Sequence, residues 1–143
     1  MRVLIDTNLY VSHFLNLEGR ATTISRVLSI SVDHRAEILL PFAQVAELEG
    51  LSTKPGLRDR LPDVKWRRFL ATLQSIAVVL DQDKQPYARV VRDSKDDYLI
   101  AAAIRENVDI LVSGDKDLLA LRDHLDRPRI MSPADFVAEF GTE

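Results

Sequence analysis

Short apolar runs rich in β-branched residues alternate along the chain with longer segments of helical period, and this alternation limits the fold more than any other feature. It is the pattern of a mainly parallel sheet covered by helices, an α/β architecture. Val3-Leu4-Ile5 predicts a first buried strand, with helical material from about Leu9 and a second helical piece from Thr22 or Thr23 to about Ser31. Glu37–Leu40 predicts a second strand, and Pro41 sits where a helix can begin because its fixed φ suits a first turn. After a break at Lys54-Pro55-Gly56, a helix through Trp66, Phe69, Leu70 and Leu73 leads to a third strand over residues 76–80. Ser94-Lys95-Asp96-Asp97 introduces an alanine-rich helix over residues 98–104, followed by a fourth strand at Ile110–Val112 that Ser113-Gly114 closes. Arg129–Met131 predicts a fifth strand, and Ser132-Pro133-Ala134-Asp135 then offers a helix cap, a proline at the first helical position and an acid in the first turn. Right-handed crossovers would place the loops after the strands along one edge of such a sheet.

The 143 residues suit one domain spanning 1–143, large enough to bury a core. A hydrophobic fraction of 46% with 29% charged residues excludes a disordered chain. No apolar run approaches the roughly 20 residues needed to span a bilayer. Asp6 interrupts the apolar start at once, which does not suit a signal peptide. Cysteine is absent, so disulfides and thiolate metal sites are excluded, and the expectation is a cytoplasmic protein with no membrane association. The net charge of -3 lacks the basic footprint usual for nucleic-acid binding, but acids gathered in one pocket would lower the average without describing the rest of the surface.

The residues just past the strand ends carry the most information. Asp6 comes directly after Val3-Leu4-Ile5, and Asp115 and Asp117 come just after Ile110–Val112. In open parallel α/β sheets, ligands bind beyond the carboxyl ends of the strands. Glu47 lies in the helix after the second strand, and Asp97 opens the helix before the fourth. Carboxylates gathered together repel one another unless cations are present, and oxygen-only donors select Mg²⁺ or Mn²⁺. Such ions orient a phosphodiester, activate water and stabilise a leaving oxygen. Each acid also has a plainer reading. Asp97 stands at capping-box spacing from Ser94, Asp115 and Asp117 suit loop or N-cap positions, and Glu47 in Glu47-Leu48-Glu49 suits a solvated helix face. Asp6 is harder to dismiss, because an acid straight after a buried strand needs partners or ions.

These segments resemble the PIN-domain family, and in its toxin-like (VapC-like) branch they resemble the toxin components of bacterial toxin–antitoxin pairs. Val3-Leu4-Ile5-Asp6-Thr7-Asn8 is similar to the family's opening block, and Glu47 within Val45-Ala46-Glu47-Leu48 to its second acidic position. The run from Arg92 through Asp97 to Ala102 resembles the third block, and Val112-Ser113-Gly114-Asp115-Lys116-Asp117 the fourth. The blocks stand in the family's order and cover nearly the whole chain. The resemblance implies a Rossmann-like three-layer α/β/α sandwich with a Mg²⁺- or Mn²⁺-dependent nuclease site cutting RNA. It implies Asp6, Glu47, Asp97 and Asp115 as catalytic acids, with metal ligands among Asp6, Asp97, Asp115 and Asp117. Thr7, Asn8, Ser113 and Arg92 would position substrate. It further implies a homodimer and a cognate antitoxin protein as partner.

Several residues admit two readings from sequence. Lys54, Arg58, Arg60, Lys65, Arg67 and Arg68 surround Trp66, either as a phosphate-gripping patch with a stacking ring or as a solvated helix face over a buried one. Arg89 and Arg92 are better placed to meet a phosphate near the acids, and His13 shows no sign of a proton-transfer role. The apolar faces through Val11, Phe14, Leu15, Val27 and Leu28 suit either core packing or a protein interface. A phosphohydrolase with an aspartyl nucleophile would want a second acid two residues after Asp6, where Asn8 stands. A dinucleotide site lacks its Gly-x-Gly-x-x-Gly after the first strand. A non-toxin PIN nuclease in RNA processing, or a catalytically silent RNA-binding module, completes the alternatives.

Overall fold

The structure is a computed structural model that describes residues 1–16, 22–57, 59–80 and 94–141, with the side chains of residues 94–97 left aside. Among these residues five strands form one sheet: β1 (Arg2–Ile5), β2 (Glu37–Leu40), β3 (Val78–Val79), β4 (Ile110–Val112) and β5 (Arg129–Met131). Their spatial order is β3-β2-β1-β4-β5, and every adjacent pair is parallel. The chain therefore builds outward from β1 in one direction and then returns to lay β4 and β5 on its other side. β1 and β4 flank the switch point, with Ile5 paired to Val112.

Period-two alternation divides the sheet between two cores. Val3, Ile5, Ile38, Leu40, Ile110 and Val112 point to one face, where α1 (Thr7–Leu15), α2 (Thr23–Asp33), α3 (Phe42–Leu51), α4 (Asp63–Ile76) and α7 (Pro133–Phe140) pack. Leu4, Leu39, Leu111 and Ile130 point to the other, against α5 (Ser94–Arg105) and the short α6 (Lys116–Leu119). Leu99, Ile100, Ala102 and Ala103 form the buried side of α5, and the alanines let this helix lie close to the strands. The α/β/α sandwich expected from the sequence is thus the observed architecture.

The helix starts obey local chemistry. α1 begins at Thr7, two residues before the expectation, because the Asp6 side chain caps it by accepting from the Asn8 amide. Thr22 caps α2 in the same way, and Ser132 caps α7 ahead of Pro133. α3 begins one residue after Pro41.

The third strand is shorter than the apolar run 76–80. Ile76, itself exposed, is the last residue of α4 three positions after Leu73, leaving Val78 and Val79 as an exposed edge strand. Among the described residues no helix is long and apolar enough to cross a membrane.

Trp66 resolves one open alternative. It is fully buried, its indole N–H donates to the Leu48 carbonyl at 2.8 Å, and Phe14 and Phe69 pack on its ring. It cannot stack on a base. Lys54, Arg60, Lys65, Arg67 and Arg68 are exposed around it, with Arg67 paired to Asp63, while Arg58 lies outside the described residues. Val27 is buried in the same core, and Val11, Phe14, Leu15 and Leu28 pack against it, so these positions serve the interior. Trp66→Phe removes the indole donor and part of the ring volume. Urea unfolding should show a loss of about 2 kcal/mol, whereas Lys65→Ala should stay within about 0.5 kcal/mol.

Candidate active site

The switch point beside β1 gathers polar groups that the apolar strands deliver. Asp6 comes directly after β1, and its amide donates to the Val112 carbonyl at 2.9 Å, extending the β1–β4 ladder by one bond. That bond sets Asp6 beside Ser113, the residue after β4. The Ser113 hydroxyl donates to Asp6 Oδ2 at 2.8 Å, and the Asn8 amide donates to Oδ1 at 3.3 Å. Ser113 Oγ in turn accepts the Asp115 amide at 3.0 Å, and Asp115 Oδ1 accepts the Asp117 amide at 2.8 Å as it caps α6. Asp6 is 4% exposed, Ser113 is fully buried, Asp115 is half-buried and Asp117 is exposed.

A second line of polar contacts meets the first at Thr7. Gln44 of α3, fully buried, donates through Nε2 to the Ile5 carbonyl at 2.6 Å and to Thr7 Oγ1 at 3.3 Å. Thr7 Oγ1 lies 3.0 Å from the hydroxyl of Tyr98, which donates to Glu47 Oε2. Glu47 is otherwise on the exposed face of α3. Glu49, two residues further and hence on another side of the helix, lines a separate hollow with Arg67 and Gln74.

Electrostatics tie these acids together. Burial raises the pKa of Asp6 above the ordinary carboxylate value, and the charges of Asp115 and Glu47 raise it further. The hydrogen bonds from Ser113 and Asn8 act in the opposite direction but do not cancel the effect. Burial and the neighbouring Glu47 raise the Tyr98 hydroxyl in the same sense, so it stays protonated as a donor.

Asp6, Thr7, Ser113 and Asp115 thus meet at the strand ends, and Tyr98 joins Glu47 to them. Asn8 contributes its amide, and its side chain is exposed. Asp97 sits in the first turn of α5, one residue before Tyr98, but its side chain lies outside the described residues, as do Arg89 and Arg92. His13 is buried, bonded through Nδ1 to Thr22 at 2.6 Å and packed on Phe69, which is a structural role.

Gln44 and Tyr98 belong to this polar cluster, and sequence reasoning misses them. The available signal for Gln44 is an amide about one helical turn before Glu47. Tyr98 offers only its position after Asp97.

Among the described residues no three acidic or histidine side chains stand together as a ready metal-binding group. Mg²⁺ needs only one or two protein carboxylates with water completing its shell, so an all-oxygen donor set led by Asp6 and Asp115 fits such an ion. The repulsion felt by buried Asp6 is also what a cation would relieve.

A parallel sheet carrying carboxylates at its switch point defines an α/β protein with an acidic crevice beyond its strand ends. The chain belongs to the PIN-domain family, whose match spans residues 2–117. PIN domains are generally nucleases. The chain is 26% identical over 151 residues to an uncharacterized protein of Methanocaldococcus jannaschii, covering 98% of this chain and 92% of that one. Its fold is similar to a chain in the crystal structure of VapBC2 from Rickettsia felis bound to a DNA fragment from their promoter. That likeness has a TM-score of 0.64 at 15% identity, covering 92% of this chain and 98% of the other.

The raised pKa of Asp6 has a consequence for stability. The folded chain holds this proton to higher pH than the unfolded chain does, so the contribution of Asp6 is most favourable below the unfolded carboxylate range. It is lost as pH rises through the folded pKa. At neutral pH without added metal, Asp6→Asn should therefore stabilise the protein by about 1 kcal/mol in thermal unfolding. The gain should shrink at acid pH and on addition of Mn²⁺.

Proposed function

We propose that this protein is a Mg²⁺- or Mn²⁺-dependent endoribonuclease and the toxin component of a toxin–antitoxin pair. The observation that carries this reading is the bonded line Asp6–Ser113–Asp115 at the strand ends beside the switch point. It supports an acidic site built in advance of any ligand. Asp6 and Asp115 would hold the cation, with Asp97 and Asp117 as further ligands, and Glu47 would complete the catalytic acids. A cation bound there would neutralise phosphate charge and supply Lewis acidity. Within the chain, Ser113 holds the Asp6 carboxylate and fixes the loop that carries Asp115. Thr7, Asn8 and Ser113, with Arg92, would position the phosphodiester.

The toxin assignment draws on the VapC-like resemblance and on the likeness to VapBC2, which was crystallised with promoter DNA. It implies a cognate antitoxin protein, a homodimer and a cytoplasmic setting.

The test uses the full chain with a fluorescently labelled single-stranded RNA. Cleavage should require Mg²⁺ or Mn²⁺ and stop with EDTA. Asp6→Ala should lower kcat/KM by about 100-fold or more. Cleavage that survives both EDTA and Asp6→Ala would remove the site from consideration.

A further inference from the structure

Glu47 poses a physical problem for any site that uses it. A glutamate on an exposed helix face is free to sample its rotamers, and holding it still costs side-chain entropy. The polar line through Gln44, Thr7 and Tyr98 removes that freedom, and its hydrogens can be assigned.

The Ile5 carbonyl can only accept, so the Gln44 amide must turn Nε2 toward it. Gln44 Oε1 is left buried without a hydrogen-bond partner, a penalty accepted for this orientation. The second Nε2 hydrogen reaches Thr7 Oγ1. Thr7 directs its own hydrogen to the Tyr98 oxygen, because the Tyr98 hydrogen is committed to Glu47 Oε2, a carboxylate that can only accept. From Gln44 onward the donors run one way, through Thr7 and Tyr98 to the carboxylate of α3, while the Ile5 carbonyl anchors the amide at the start.

We infer that Tyr98 is the positioning residue of Glu47, tying this acid through Thr7 to the end of β1 and to buried Gln44, with a polarity set by the two acceptor-only ends, the Ile5 carbonyl and the Glu47 carboxylate. The inference rests on the reading of Glu47 as a site acid. Tyr98 acts through Glu47 and needs no contact with the nucleic acid. The tether also bridges the two helical layers, since α3 and α5 pack on opposite faces of the sheet and meet here over its edge. Because the chain of donors is complete without ligand, Glu47 is held in place before any cation or RNA arrives.

The test is a double-mutant cycle in the full-length protein with Tyr98→Phe and Glu47→Ala, read first by urea unfolding without metal. The unfolding constant of the double variant should fall short of the product of the single effects by about fivefold. Thr7→Val, which breaks the donor order while keeping the shape, should reduce that coupling. Independent, multiplicative effects would overturn the tether.

The second reading is calorimetric titration with Mn²⁺ alone, together with kcat and KM on the labelled RNA. Tyr98→Phe should weaken Mn²⁺ binding or lower kcat by about tenfold with KM little changed, and adding it to Glu47→Ala should cost nothing more. Intact coupling with unchanged Mn²⁺ affinity and kcat would overturn the positioning role and leave a purely structural bond. A protein that neither binds Mn²⁺ nor cleaves RNA, yet shows the coupling, would overturn the nuclease proposal while upholding the tether.

Discussion

The parallel pairing of β1 with β4 is the constraint on which the rest of the site depends. Both strands end at the same level, with Ile5 opposite Val112, so the next residue of each enters the crevice together. Asp6 gains a backbone bond to Val112 and a side-chain bond from Ser113 only because these strands are neighbours. In any order that separated β1 from β4, Asp6 would be a buried carboxylate without its hydroxyl donor and without the acid at position 115. The reversal of strand order creates the opening, and the donors on the carboxylate, the Ser113 hydroxyl and the Asn8 amide, make it tolerable for a charge.

This arrangement works against folding locally. Burial and two neighbouring carboxylates all disfavour ionised Asp6, and only two hydrogen bonds oppose them. The compensation lies in the sheet beneath. Val3 and Ile5 pack into one core and Leu4 into the other, each fully buried, so β1 is held from both faces up to the residue before Asp6. An unfavourable polar end on a well-packed strand is the usual compromise of a functional site, where local preference yields to the demands of a ligand. Gln44 repeats it on a smaller scale, leaving Oε1 unpaired to keep the Ile5 and Thr7 contacts.

How far the sequence carries depends on the range of the interaction involved. Four of the five strands, the cap at Ser132, and the placement of Asp6 and Asp115 after strand ends are legible, since each comes from the alternation of segments or from a bond only a few residues long. The run 76–80 misleads because its first residue fits helical and strand periods equally well, and α4 claims it. Glu47 and Glu49 are separated by motif, and their different surroundings have a helical cause, since residues two apart face different ways. Tyr98 and Gln44 carry no distinctive local signal. Their importance comes from partners 91 and 39 positions away, Thr7 and Ile5.

The sequence by itself determined the fold class, the apolar runs that become buried strands, and the acids available at the strand ends. These are local properties, set by periods of two and 3.6 residues and by capping chemistry. Only the tertiary structure decided that β4 lies against β1 and that Trp66 is interior. It alone linked Glu47 to the strand end through Tyr98 and Thr7. Hydrogen-bond partners drawn from distant segments are chosen by packing, and the parallel strand order that brings those segments together is not written in any single stretch of the chain.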